Sequence, residues 1–196
     1  TSGMTTKEPI QAALEGLVTL GDLAGAVTLI WQGDQVIQST PVGWRDREAN
    51  LPMERDTLFR IASMSKPITS LAALMLFEEG RFALDEPITR WGPEFAHMRV
   101  LRSPTGPLDQ TDPADRLITF EDLLTHRSGL TYGSAHADPI VNAYDETLGS
   151  NFDSGWSPDE WIARLASLPL IDQPGAGFHY GHSTDVLGFL IARMEG

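Results

Sequence analysis

Ser63-Met64-Ser65-Lys66-Pro67 opens a long apolar helix, and its reading decides the fold. Lys66 is one of two lysines, Lys7 being the other, and it lies one helical turn from a serine. Proline is tolerated only in a helix's first turn, so Pro67 pins the start near Ser63. Gly80 after Glu78-Glu79 supplies the stop. Ile68, Leu71, Ala72, Leu74, Met75, Leu76 and Phe77 spread apolar surface around most of the helix, which predicts burial on several sides. Upstream, Thr57 to Ala62 reads as a short strand leading into it. Three residues apart, Ser63 and Lys66 share one helix face. A lysine that gives up its proton beside a serine hydroxyl activates that serine as a nucleophile. The positive helix N-terminus favours an oxyanion at Ser63 and disfavours a protonated Lys66, so a lowered lysine pKa is expected.

A Ser-x-x-Lys tetrapeptide is common by chance, and an isolated one is an ordinary solvated helix face. The rest of the chain supplies the context. It has 196 residues, 41% of them hydrophobic, enough for a sizeable core in one domain or two. A formal charge of −13, with the arginines scattered, argues against nucleic acid or an anionic membrane as partner. The absence of cysteine excludes disulfides and thiolate metal sites. No apolar run approaches the ~20 residues that span a bilayer, and Thr1-Ser2-Gly3-Met4 opens no signal-peptide apolar region. A cytoplasmic protein without a membrane segment is expected.

Along the chain, Pro9 to Leu20 reads as an amphipathic helix. Ala26 to Trp31 and Val36 to Thr40 read as strands around the hairpin signal Gln32-Gly33-Asp34-Gln35. Val42 to Arg47 is read as a third strand. Leu84 to Phe95 reads as short turns, and Arg102 to Asp115 as a surface loop. Thr119 caps a short helix through Thr125. Tyr132 to Gly155 reads as a long irregular segment. Ser157-Pro158-Asp159-Glu160 is a capping box opening a helix to Leu168, and a last apolar helix runs from about Ser183 to Glu195.

Rival chemistries fall away quickly. The chain has no Gly-x-x-x-x-Gly-Lys, no Gly-x-Gly-x-x-Gly and no His-Glu-x-x-His. Gly181-His182-Ser183-Thr184-Asp185 lacks the final glycine of a nucleophile elbow. His179 and His182 have no third metal ligand nearby, so no metal and no cofactor are expected. His126, near a helix end, is read as structural. Tyr180 is left as a second proton carrier beside Ser63 and Lys66. A core tyrosine with a satisfied hydroxyl is the plainer reading of that residue.

Four stretches change that balance. They are Phe59-Arg60-Ile61-Ala62-Ser63-Met64-Ser65-Lys66-Pro67, Leu84-Asp85-Glu86-Pro87-Ile88, Ile118 to Leu130 with Leu123-Leu124-Thr125-His126-Arg127-Ser128-Gly129-Leu130 at its end, and Pro174 to Ser183 around Tyr180-Gly181-His182. Together and in this order they resemble the motifs of the serine β-lactamase and penicillin-binding-protein superfamily. The likeness is greatest to class C β-lactamases and family VIII carboxylesterases, and it covers nearly the whole chain. The resemblance implies an α+β, β-lactamase-like fold: an antiparallel sheet flanked by helices plus a helical subdomain. It is expected to be present only in part. Residues of about 8–62 would give a helix and the first strands, and about 63–196 the helical subdomain with the motifs.

The resemblance also implies roles. Ser63 would be the acylated nucleophile, with its backbone N–H as an oxyanion donor, and Lys66 and Tyr180 would share the acid and base work. His182 stands where the family motif carries an asparagine that holds the substrate's amide, so a substrate-binding place falls to it and esters are favoured over lactams. A carboxylesterase for short-chain esters is expected. A β-lactamase or D-Ala-D-Ala peptidase-like amide hydrolase, and a non-catalytic binding member of the fold, remain open. The family continues for about as many residues again, so a second polypeptide segment carrying the C-terminal half is expected as a partner, beside a small-molecule ester.

Overall fold

The computed structural model describes residues 7–132, 139–149 and 154–196. The chain divides into two compact units, Thr1–Arg60 and Ile61–Gly196. In the first, helix α1 (Lys7–Leu20) precedes strands β1 (Gly25–Gln32), β2 (Gln35–Asp46) and the short β3 (Leu51–Pro52). They form an antiparallel sheet in the order β1-β2-β3. The β1–β2 hairpin turns on Gly33 (φ 54°) and Asp34 (φ 61°). Two consecutive left-handed residues match the right-handed twist of the flanking strands, as the Gly-Asp pair predicts. The segment read as a third strand continues β2 unbroken to Asp46.

The second unit is mostly helical. A 3₁₀ turn (Ala62–Met64) leads into α2 (Ser65–Glu78), followed by 3₁₀ turns at Ile88–Arg90 and Pro93–His97. Strands β4 (Arg99–Leu101) and β5 (Thr111–Pro113) pair antiparallel, and then come α3 (Phe120–Leu124), α4 (Ile140–Leu148), α5 (Pro158–Ala166) and α6 (Ser183–Glu195). The core lies among these elements. Ile88, Phe120, Leu123, Ile162, Leu165, Val186, Leu187 and Leu190 are all buried. Helix α6 is central to it and packs against both α2 and α3.

Four expectations need correction. Thr57 to Ile61 is not a strand; no strand among the described residues pairs with it, and the chain enters α2 through the 3₁₀ turn. Helix α2 is not buried on several sides. Ala73 and Leu76 are buried, whereas Ile68, Leu71 and Met75 are each more than half exposed. Part of the Arg102–Asp115 loop is β5, held to β4 by Arg99 Nε donating to Thr111 Oγ1 at 3.0 Å and Arg102 Nε to Asp112 Oδ1 at 3.0 Å. The Tyr132–Gly155 segment contains α4, whose buried Ile140, Ala143, Tyr144 and Leu148 recur at helical spacing.

Both expected helix caps form. Ser157 and Glu160 close a reciprocal capping box at α5, as Thr119 and Asp122 do at α3. At α3 the box does more than cap. The Asp122 carboxylate is almost buried, accepts from Thr119 N–H at 2.9 Å, and takes a two-pronged bond from Arg116. Burial alone would raise the Asp122 pKa, but the Arg116 and Thr119 bonds outweigh it and hold the carboxyl below its ordinary value.

Asp122→Ala leaves Arg116 and the Thr119 backbone N–H without their acceptor. The expected loss is on the order of 2–3 kcal/mol, below the 3–5 of a fully buried pair because Arg116 is half in water. Urea unfolding checks this. The lowered carboxyl pKa adds a pH signature: this stabilisation is present above the ordinary aspartate value near 3.8 and fades as pH falls through the lower folded value. The variant's deficit should therefore shrink in acid.

Candidate active site

Ser63 lies in the 3₁₀ turn that precedes α2, directly after Ala62, whose φ of 46° is left-handed for a residue with a side chain. Lys66 is in the first turn of α2. Its Nζ donates to the Tyr132 hydroxyl at 2.8 Å. The ammonium lies 4.8 Å from the Tyr180 ring centroid and 5.3 Å from that of Tyr132. The neighbouring Ser63 side chain in turn acts on the Tyr180 hydroxyl and draws its pKa down. The structure thus brings Ser63, Lys66 and Tyr180 together and adds Tyr132 as a fourth member.

The two tyrosines meet because two backbone segments run side by side. Ile171 N–H donates to Gly129 O at 3.0 Å, Gly175 N–H to Arg127 O at 2.7 Å, and His179 N–H to His126 O at 2.8 Å. At the end of this ladder Gly181 presses on Thr131, and a Cβ at 181 would fall 2.4 Å from the Thr131 Cα and carbonyl carbon. Only glycine permits that approach. Tyr132 and Tyr180, flanking the contact, are left 5.7 Å apart with rings nearly perpendicular. The His126 ring packs 4.8 Å from Tyr180, and its backbone is left-handed (φ 55°).

The electrostatics reverse one expectation. Burial lowers the Lys66 pKa, but the hydroxyls of Tyr132 and Tyr180 more than offset it and hold the ammonium above its ordinary value. Tyr180 moves the other way: the Ser63 side chain, helped by Lys66, draws the phenol below the ordinary tyrosine value against a smaller opposing effect of burial. Tyr132 is raised by burial, which outweighs its bond from Lys66. His126 is lowered by burial and by the Lys66 charge, so its ring is neutral at neutral pH. Of the two phenols beside Lys66, Tyr180 is the one biased to release a proton, and Lys66 is biased to keep its own.

His182 stands apart from this cluster. Its ring is 3% exposed, so it is placed behind Tyr132 in the core and not on a surface that a substrate meets. Its Nδ1 lies 3.0 Å from Asp185 Oδ2, and its Nε2 is buried without a hydrogen-bond partner. His179 is separate again, with Nε2 3.0 Å from Asp172 Oδ2. Among the described residues no group of three or more His, Asp or Glu is placed to hold a metal ion. No helix among them is long and apolar enough to cross a membrane. Tyr132 is the site residue that the sequence reading missed. Its one signal is a Tyr-Gly pair, Tyr132-Gly133, matching Tyr180-Gly181.

The chain is similar to known proteins. A family model described as Beta-lactamase matches residues 10–196. Protein Rv1367c of Mycobacterium tuberculosis is 49% identical over 185 residues, which cover 94% of this chain and 45% of that protein. Esterase EstB of Burkholderia gladioli is 39% identical over 178 residues, covering 89% of this chain and 42% of the esterase. The solved structure of EstCE1, described as a hydrolase with promiscuous acyltransferase activity, superposes with a TM-score of 0.77 at 30% identity, over 96% of this chain and 47% of EstCE1. The chain spans about half the length of these relatives.

Gly181→Val tests the backbone contact on which the cluster rests. A side chain there cannot coexist with Thr131 at 2.4 Å, so the Tyr132 and Tyr180 segments must part or the unit must unfold. The expected result is a loss of the Lys66 contacts with both tyrosines, with a melting temperature lower by roughly 5 °C or more. Differential scanning calorimetry and tyrosine hydroxyl NMR signals report the two effects.

Proposed function

This chain belongs to the beta-lactamase family, and we propose that it carries the nucleophile-bearing part of a serine hydrolase acting on short-chain esters. The observation that supports this most is the Lys66 ammonium, bonded to Tyr132 and set against Tyr180, whose hydroxyl is coupled to Ser63. Esterase EstB among the relatives favours an ester over a lactam. The ester preference no longer leans on His182 as a substrate contact, since that ring is buried.

In the proposed reaction the Tyr180 phenolate takes the Ser63 proton as Oγ attacks the ester carbonyl carbon. Lys66, as an ammonium, stabilises the phenolate by charge and hydrogen bond, and Tyr132 holds the ammonium from its other side. The Ser63 backbone N–H donates to the oxyanion of the tetrahedral intermediate. Collapse expels the alcohol, which takes the proton back from Tyr180, and leaves an acyl group on Ser63. Water then attacks the acyl-enzyme by the same proton path in reverse and frees the carboxylic acid. A second oxyanion donor, worth roughly 3–4 kcal/mol in the transition state, and the remaining strands of the sheet are assigned to a further polypeptide segment.

Hydrolysis of p-nitrophenyl butyrate by the full-length protein tests the roles. Ser63→Ala should abolish turnover, and Tyr180→Phe should lower kcat by about 10²–10⁴-fold. Lys66→Met should lose more than Lys66→Arg, because arginine keeps the charge. Equal losses would place a neutral amine, and not an ammonium, in the reaction. The kcat/KM of nitrocefin should fall below that of the butyrate ester.

The pH profile carries the sign of both shifts. Activity should rise as Tyr180 deprotonates, below the ordinary value of 10.0, and fall only as Lys66 loses its proton above 10.5. A rate maximum on the acid side of neutrality would contradict the assignment of base and ammonium.

A further inference from the structure

We infer that His182 is a positioning residue that acts through Tyr132, holding the tyrosine ring so that its hydroxyl meets the Lys66 ammonium. This deepens the proposed function and rests on the role given there to Lys66. The His182 ring stands edge-on to Tyr132, with centroids 4.6 Å apart and planes at 88°. On its other sides it lies parallel to Tyr144 at 5.8 Å and edge-on to Trp161 at 5.2 Å. Tyr144 is on α4 and Trp161 on α5, both buried. The imidazole is therefore a wedge between the helical core and the back of Tyr132.

Two further contacts fix the wedge. His182 caps α6, and its carbonyl accepts from Val186 N–H at 3.0 Å. Its Nδ1 is 3.0 Å from the Asp185 carboxylate one turn on. The carboxylate places the imidazole proton on Nδ1, which leaves Nε2 a buried acceptor without a partner. An apolar ring would avoid that unpaired acceptor. What the histidine adds is the Asp185 anchor, which a phenyl ring lacks. Tyr132 has only two side-chain torsions before its hydroxyl, so a ring wedged from behind sets where the hydroxyl points. The Tyr132 hydroxyl, 2.8 Å from Lys66 Nζ, is the side-chain link by which the His182 ring reaches the cluster.

Burial removes the alternative of direct substrate contact. The remaining alternative is a purely structural core residue, whose loss would lower activity whatever stands at position 132. A double-mutant cycle separates the two. In the full-length protein His182→Asn, Tyr132→Phe and the double variant are compared for p-nitrophenyl butyrate hydrolysis. His182→Asn should lower kcat about tenfold with KM nearly unchanged, and the double variant should match Tyr132→Phe within about twofold. Losses that multiply, or an unchanged kcat in His182→Asn, would overturn the inference. Should His182→Asn fold poorly, His182→Phe keeps a ring behind Tyr132 without the Asp185 anchor, and its smaller loss should likewise vanish in the Tyr132→Phe background.

A second readout needs no turnover. Tyr132 holds the Lys66 ammonium above its ordinary value, together with Tyr180 and against burial, while His126 and Asp185 are the other titratable groups coupled to this cluster. The Lys66 titration, followed by NMR of isotopically labelled lysine, should move downward in His182→Asn as it does in Tyr132→Phe. A Lys66 titration unmoved by His182→Asn but moved by Tyr132→Phe would also overturn the inference. If Ser63→Ala were as active as the parent, the serine-hydrolase reading would fail, and the titration would still decide the role of His182.

Discussion

Gly181 lies against the Thr131 backbone at a distance no other residue allows. Everything chemical in the second unit depends on that approach. Tyr132 follows one member of the contact and Tyr180 precedes the other, so the spacing between the two phenols is a backbone property. Hydrogen bonds from residues 171, 175 and 179 to residues 129, 127 and 126 fix the register of the two segments. Upstream, the Asp122 carboxylate anchors the start of α3 through Arg116 and Thr119, and so fixes where the 126–131 segment begins. The site is thus built on the scaffold from one capped helix start to one glycine.

A contest of magnitudes decides the charge state of the cluster. A helix N-terminus contributes about 0.3–1 kcal/mol against a cation in its first turn. A hydrogen bond to a charged group contributes about 1.5–3 kcal/mol. Lys66 donates such a bond to Tyr132 and lies against Tyr180, and together they outweigh both the helix dipole and partial burial. The ammonium that results lowers the cost of a phenolate at Tyr180. Two phenols sharing one cation do not respond alike: Tyr132, more buried, is held protonated, while Tyr180, joined to Ser63, is poised to ionise.

Local signals in the chain were legible wherever the chemistry was local. Gly33-Asp34 predicted the hairpin, Ser157-Pro158-Asp159-Glu160 the start of α5, and the apolar run after Ser183 the bounds of α6. Ser63 and Lys66 were singled out by helical spacing and Tyr180 by motif order, and the structure brings the three together. Tyr132 was missed because its partner is 66 residues away in sequence and no local pattern encodes the meeting. His182 was read as facing substrate for the same reason: its burial comes from α4 and α5, which pack behind it from elsewhere in the chain. Helix α4 went unread because two of its four buried residues are small or aromatic and all four sit among turn-forming residues. Within this chain α2 buries Ala73 and Leu76 and leaves Ile68, Leu71 and Met75 exposed.

Ala62 carries a last consequence. A left-handed alanine costs about 1–2 kcal/mol relative to its relaxed backbone, and here it stands directly before Ser63. Glycine would relieve that cost, while its greater freedom in the unfolded chain would return about 0.4–1 kcal/mol. The net favours glycine, so a library screened on heat alone would enrich it at position 62, directly beside Ser63.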